Sequence, residues 1–158
     1  MQTLLEAAQH LGGRLSARAE TVAVAESSAG GLIAAALLAQ PGASAFFLGG
    51  AVIYTRQTRE GLLGITPKDM ETIRPASEPY ALLLAQRLRA RIGATWGLAE
   101  TGAAGPAGNR YGDAPGHGCF AISGPVELMR TIESGTADRV ANMRIFAATA
   151  LALLIGAL

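Results

Sequence analysis

The sequence predicts an α/β fold: a three-layer α/β/α sandwich on a mixed sheet of about five strands. Three observations carry that expectation. Short apolar runs rich in β-branched residues alternate with longer runs of helix formers. Glycine-rich turns follow two of the strand-like runs, after Ala25 and after Glu100. Late in the chain, Gly124-Pro125 separates two further strand-like runs, a hairpin signal that adds antiparallel strands to a sheet begun in parallel. With 158 residues, half of them hydrophobic, the chain suits one domain over residues 1–158.

Residues 2 to 11 place Leu4, Leu5, Ala8 and Leu11 on one helical face, and Gly12-Gly13 is expected to end that helix. Thr21 to Ala25 is short and β-branched enough for a buried strand. Leu32 to Gln40 contains good helix formers and stops at Pro41-Gly42. Phe46 to Thr55 reads as a second strand, in which Gly49-Gly50 suggests a bulge or a close backbone approach. Thr55 to Gly61 forms a helical turn, and Thr66-Pro67 opens a short helix. Ser77 to Arg91 is the clearest helix: Ser77 caps it, Leu82, Leu83, Ala85, Leu88 and Ile92 face inward, and Gly93 closes it. Ala94 to Glu100, Cys119 to Ser123 and Val126 to Glu133 read as strands. A last helix starts from a cap at Thr136 or Asp138 and buries Met143, Phe146, Ala147, Ala150 and Leu154.

Thirteen basic residues against 12 acidic ones leave no net field to draw nucleic acid or an anionic membrane, so the expected partner is a small molecule or another protein chain. Lys68 is the single lysine and the other basic residues are arginines. Cys119 is the single cysteine and no Cys/His spacing suits a metal, so no metal and no cofactor are expected, and a reducing, cytoplasmic location is. His10 and His117 read as surface or turn histidines. The start of the chain lacks the pattern of a signal peptide, and the apolar run Ile145 to Leu158 is shorter than the roughly 20 residues that span a bilayer. That run is expected to form a buried helix or a subunit contact, consistent with a homo-oligomer.

The chemistry concentrates in Ala25-Glu26-Ser27-Ser28-Ala29-Gly30-Gly31, a strand, tight turn and helix start. Free N–H groups at the start of the helix favour an anion or a developing oxyanion. Ser27 lies nearest the carboxyl end of the strand, where open α/β sheets bind ligands, while Ser28 divides between a helix cap and a ligand contact. The turn lacks the glycine two residues before the serine that marks a hydrolase nucleophile elbow. Thr101 to Gly108 is a second glycine-rich loop, and it does not match a P-loop.

Several motifs now align in order: Glu26-Ser27-Ser28-Ala29-Gly30-Gly31, Pro41 through Gly50, Tyr54 through Ile65, and Thr101 through Gly108. Together they resemble the CinA C-terminal domain family of competence- and damage-inducible proteins, which includes nicotinamide mononucleotide deamidases. The resemblance covers nearly the whole chain. It implies the three-layer fold, hydrolysis of the amide of nicotinamide mononucleotide to nicotinate mononucleotide and ammonia, and a nucleophilic serine at Ser27 helped by a lysine. Full-length relatives often carry an extra N-terminal domain, for which these 158 residues are not expected to have room.

This sequence departs from the pattern at three positions: Arg59 stands at the lysine, Ser28 at the cysteine and Ala29 at the threonine. Deprotonating an arginine at pH 7 costs about 8 kcal/mol, so Arg59 can hold an anion but does not activate a serine. The expected catalytic group is therefore Ser27, with Glu26 or a relay through Tyr54 as proton acceptor and Arg59 as anion holder; Lys68 is the one replacement lysine. Glu26 has a second reading as a carboxylate bonded to the N–H groups of its own loop. Ser28, Gly30, Gly31, Thr101, Gly102, Gly105 and Gly108 are the expected substrate-binding positions, with the amides of Ser28 to Gly31 as oxyanion donors. Two alternatives stay open: a nucleotide-binding or interaction module of the same fold, and a hydrolase of another small amide or ester. Arg130, Asp138, Arg139 and Arg144 remain unassigned between the pocket and the surface.

Overall fold

A computed structural model describes residues 2–158. Five strands form one sheet in the order β2 (Phe47–Val52), β1 (Val22–Glu26), β3 (Trp96–Ala103), β4 (His117–Ser123), β5 (Leu128–Glu133). β1 runs parallel to both β2 and β3, and β4 and β5 continue antiparallel, so the predicted mixed sheet is the one observed. Alternation along the strands serves two cores. Val22, Val24, Trp96, Leu98, Phe120 and Ile122 face α1 (Gln2–Ala17), α2 (Leu32–Leu38) and α5 (Arg139–Ala157). Ala23, Ala25, Ala99 and Ala121 face α4 (Glu78–Ile92) and the end of α3 (Arg56–Leu63).

The second face is nearly devoid of large side chains on the sheet, and α4 sinks onto it. A Cβ on Gly97 would lie 2.2 Å from the carbonyl oxygen of Ala85. Ser77 caps α4 by accepting from the Tyr80 amide, and Gly93 ends it at φ 80°. At the other end of the sandwich, Arg14 of α1 and Arg18 just beyond it donate to the carbonyls of Ile155 and Leu158, both at 3.0 Å, and so satisfy acceptors at the end of α5. By length and composition α5 could cross a bilayer, yet here Phe146, Ala147, Ala150, Leu151 and Leu154 are completely buried in the first core.

Several boundaries differ from the sequence reading. Helix α1 runs through Gly12-Gly13 to Ala17, because Phe46 packs where a Gly12 side chain would be, 2.6 Å from its Cβ position, and that packing outweighs glycine's poor propensity. β2 stops at Val52, and Thr55 instead forms a capping box with Thr58 at the start of α3. Both readings of Gly49-Gly50 hold. The register with β1 skips Leu48, a bulge, and a Gly50 Cβ would come within 2.9 Å of Ala34 Cβ. β3 continues past Glu100, since Thr101 to Ala103 pair with Cys119 to His117.

Adding one methyl group at Gly97 forces α4 off the sheet, so Gly97→Ala is expected to lower the unfolding free energy by about 2 kcal/mol. Urea denaturation checks it, and an unchanged midpoint would show that α4 has slack.

Candidate functional site

Ser27 is the first residue beyond β1, and the turn from Ser27 to Gly31 delivers the chain into α2. Gly30 and Gly31 take φ of 66° and 97°, left-handed values that a side chain would strain. Two carboxylates hold this turn. Glu26 accepts the amides of Gly31 and Ile33 on Oε2, at 2.9 and 3.0 Å, and that of Ala34 on Oε1 at 2.7 Å. It is buried at the positive end of α2, which corrects its candidacy as a proton acceptor: its oxygens are committed to the helix start. Burial raises its carboxyl above the ordinary range, against the pull of those three amides.

The second carboxylate, Glu100 on β3, went unnoticed in the sequence. Its Oε2 accepts the amides of Ser27 at 3.0 Å and Ala29 at 2.8 Å, and its Oε1 is buried without a partner among the described residues. Complete burial pushes its carboxyl up to about 7; the two amides oppose that shift and the charge of Glu26 adds to it. An acid at the end of an otherwise apolar strand, just before a glycine loop, was the signal available.

These bonds correct the expected oxyanion donors. Gly31 donates to Glu26, Ala29 to Glu100 and Gly30 to the Ser27 carbonyl, leaving the Ser28 amide without an acceptor among the described residues. The two serines also separate. Ser28 is buried and its hydroxyl donates to the Gly102 carbonyl at 2.8 Å, whereas Ser27 lines a cleft of about 640 Å³.

That cleft opens at the carboxyl ends of the parallel strands. Of the expected binding positions, Thr101 and Gly102 line it with Ser27, while Ser28, Gly30, Gly31, Gly105 and Gly108 do not. Gly105 and Gly108 are needed for close backbone approach instead: a Cβ would fall 2.6 Å from the Ala137 carbonyl oxygen and 2.1 Å from that of Asp113. Among the described residues no Asp, Glu, His or Lys lines the cleft, but Arg56, Arg59 and Arg110 do, with Tyr54, Tyr80 and Tyr111. A chain of net charge +1 thus presents a distinctly cationic, aromatic cavity.

The three arginines are not equivalent. Arg56 is paired with Glu60 at 2.6 Å. Arg59 lies 5.8 Å from the centre of the Tyr80 ring, and its Nε is buried without a partner among the described residues. Burial raises the Tyr80 phenol, and Arg59 pulls against that shift. Arg110 and Arg74 both stack on Tyr111, at 5.3 and 5.5 Å, and Arg74 is anchored by a two-pronged pair with Asp113. Asn109 shapes this loop by accepting the Tyr111 and Asp113 amides.

Tyr54 stands exposed at the rim and accepts from Arg139 at 3.1 Å; the other arm of Arg139 reaches the Gly105 carbonyl at 2.6 Å. Arg139 therefore ties the rim tyrosine to the second glycine loop without itself lining the cleft, while Asp138 caps α5 through the Ala141 amide. Arg130, Arg144 and Lys68 are exposed and outside the cleft lining. His117 is a correction. It is buried between Glu133 and the carbonyl of Ala76, a cleft-lining residue in the left-handed region at φ 54°.

The structure is thus that of an α/β protein whose mixed sheet carries a cationic, aromatic cleft at its parallel edge, with one serine turned into it. The chain belongs to the CinA C-terminal domain family, whose model matches residues 4–158. A CinA-like protein of Desulfosudis oleivorans is 40% identical over 141 residues, 88% of this chain and 34% of that protein. Another from Synechocystis sp. is 45% identical over 98 residues, 62% of this chain and 24% of that protein. The chain thus spans about a third or less of the length of these curated relatives. The solved CinA superfamily protein of Escherichia coli superposes with a TM-score of 0.92 at 27% identity, over 98% of this chain and 90% of that one. A competence/damage-inducible protein from Agrobacterium tumefaciens superposes with a TM-score of 0.90 at 29% identity, over 98% and 94%.

The folded chain holds a proton on Glu100 that the unfolded chain releases from an ordinary carboxyl at 4.5, so this stabilising contribution is lost as pH rises from about 4.5 through about 7. The loss amounts to about 3 kcal/mol. Glu100→Gln is expected to flatten that slope, measured as urea midpoints between pH 5 and pH 8; parallel slopes in the two proteins would contradict it.

Proposed function

We propose that the chain is an amidohydrolase acting on nicotinamide mononucleotide or a closely related nucleotide amide, with Ser27 as nucleophile. The observation that carries this reading is Ser27 itself: a hydroxyl presented to a cationic, aromatic cleft, at the turn where the family motif places its serine. Arg110 and Arg59 have no acidic partner and suit a phosphate, and the tyrosines suit a flat ring. Ser27 Oγ attacks the amide carbon and forms an ester as the C–N bond breaks. The Ser28 amide, the one in this turn left without an acceptor among the described residues, is the donor assigned to the developing oxyanion. Tyr54, whose oxygen accepts from Arg139, keeps its own proton available for the departing nitrogen and takes up the one Ser27 gives up. Ammonia leaves, and water then hydrolyses the ester to the acid.

A second reading, a nucleotide-binding protein without turnover, is favoured by one observation: no Lys, His, Asp or Glu lines the cleft. Ammonia release from nicotinamide mononucleotide, run beside calorimetric binding, separates the two. Ser27→Ala is expected to lower kcat at least about a thousandfold with binding within a few-fold. Arg59→Lys supplies a side chain that can shed its proton when buried, and is expected to raise kcat about tenfold or more. Binding without any ammonia in the parent protein would leave the second reading standing.

A further inference from the structure

We propose that Glu100 is the positioning residue for Ser27, and that its ionisation sets how Ser27 meets the cleft. As a carboxylate it gathers the Ser27 and Ala29 amides onto a single oxygen and fixes the turn; on taking a proton it loosens that hold. The inference deepens the reading of Ser27 as nucleophile and rests on it.

The geometry supplies the argument. Oε2 carries two amide bonds, and bonds to a charged acceptor are about twice as strong as those to a neutral one, so protonation weakens both together. Oε1 has no partner among the described residues and is the free place for the proton. The Ser28 hydroxyl donates to the Gly102 carbonyl at 2.8 Å, and its influence on Glu100 favours the charged form, as do the two amides.

The surroundings make Glu100 the titrating member of the pair. Glu26 faces it from β1 and is the charged group bearing on it. Its register partner on β4 is Phe120, α2 brings Ile33, and α5 brings Met143 against the Gly30 turn. No cation offsets its charge, whereas Glu26 has three amides spread over both oxygens. Glu100, with two amides on one oxygen, therefore takes the proton in the neutral range.

The test is a pH titration from 5.5 to 9 of the parent and Glu100→Gln proteins, following the backbone amide signals of Ser27 and Ala29 and the Cβ signal of Ser27 by NMR. A shared inflection near pH 7 in the parent, absent from the variant, is expected. Signals that do not titrate in the parent, or titrate unchanged in the variant, would overturn the proposal; the parent result decides alone if the variant does not fold. In ammonia release, kcat of the parent is expected to be about tenfold lower at pH 6 than at pH 8, with little change in KM, and the variant to show no such limb. Titrating amides in a protein that releases no ammonia would sink the amidase reading while leaving Glu100's hold on Ser27 supported. Ammonia release with the same pH limb in the variant would overturn the role of Glu100 in reactivity.

Discussion

Five backbone amides between Ser27 and Ala34 are satisfied by two buried carboxylates, Glu26 from β1 and Glu100 from β3. A turn that enters a helix leaves such amides orphaned, and burying them unpaired would cost on the order of 1–3 kcal/mol each. The amides of Ala29, Ile33 and their neighbours face inward, where the two carboxylates rather than solvent receive them. The carboxylates therefore fix where β1 ends and how α2 departs, and this decides which of two adjacent serines reaches solvent. The same arrangement crowds two negative charges around one turn, and only one of them rests squarely on a helix N-terminus.

The location of the cleft follows from the order of the strands. β1 has β2 on one side and β3 on the other, both parallel to it, so the connections leaving β1 and β2 diverge to opposite faces and open a crevice at their carboxyl ends. Its lining comes from segments at that edge or folded over it: the Ser27 turn, the run from Ile53 to Arg59, the stretch from Pro67 to Tyr80, Thr101-Gly102 and the Asn109 loop. Charge is then distributed by local pairing. Arg56 and Arg74 are neutralised by Glu60 and Asp113, and Arg59 and Arg110 are left facing the cavity.

The fold was legible because its signals are local. Strand and helix periods, the Ser77 cap and the Gly124-Pro125 hairpin each sit within a few residues of what they control. The misplaced boundaries have tertiary causes: Gly12-Gly13 remains helical because Phe46 fills the space beside it, and β3 outruns its apolar segment because β4 offers partners as far as Ala103. Ser27, Thr101 and Gly102 were legible as cleft residues because they belong to the turns themselves. Glu100 was not, since its partner amides lie more than 70 residues away in the chain. Arg139 and His117 escaped for the same reason, and the glycines were misread because steric necessity and ligand contact leave identical marks in a sequence.

The alanine- and glycine-paved face of the sheet has a kinetic side. A helix seated backbone to backbone, with no layer of long side chains beneath it, has nothing to slide on, so α4 and its Tyr80 behave as one rigid piece with the strands. The segment carrying Tyr111 is held differently, its tether being the partly exposed pair between Arg74 and Asp113. An ion pair of that kind yields to salt, so raising the ionic strength slackens the tether of the Tyr111 segment at the same time as it screens the unpaired arginines of the cleft.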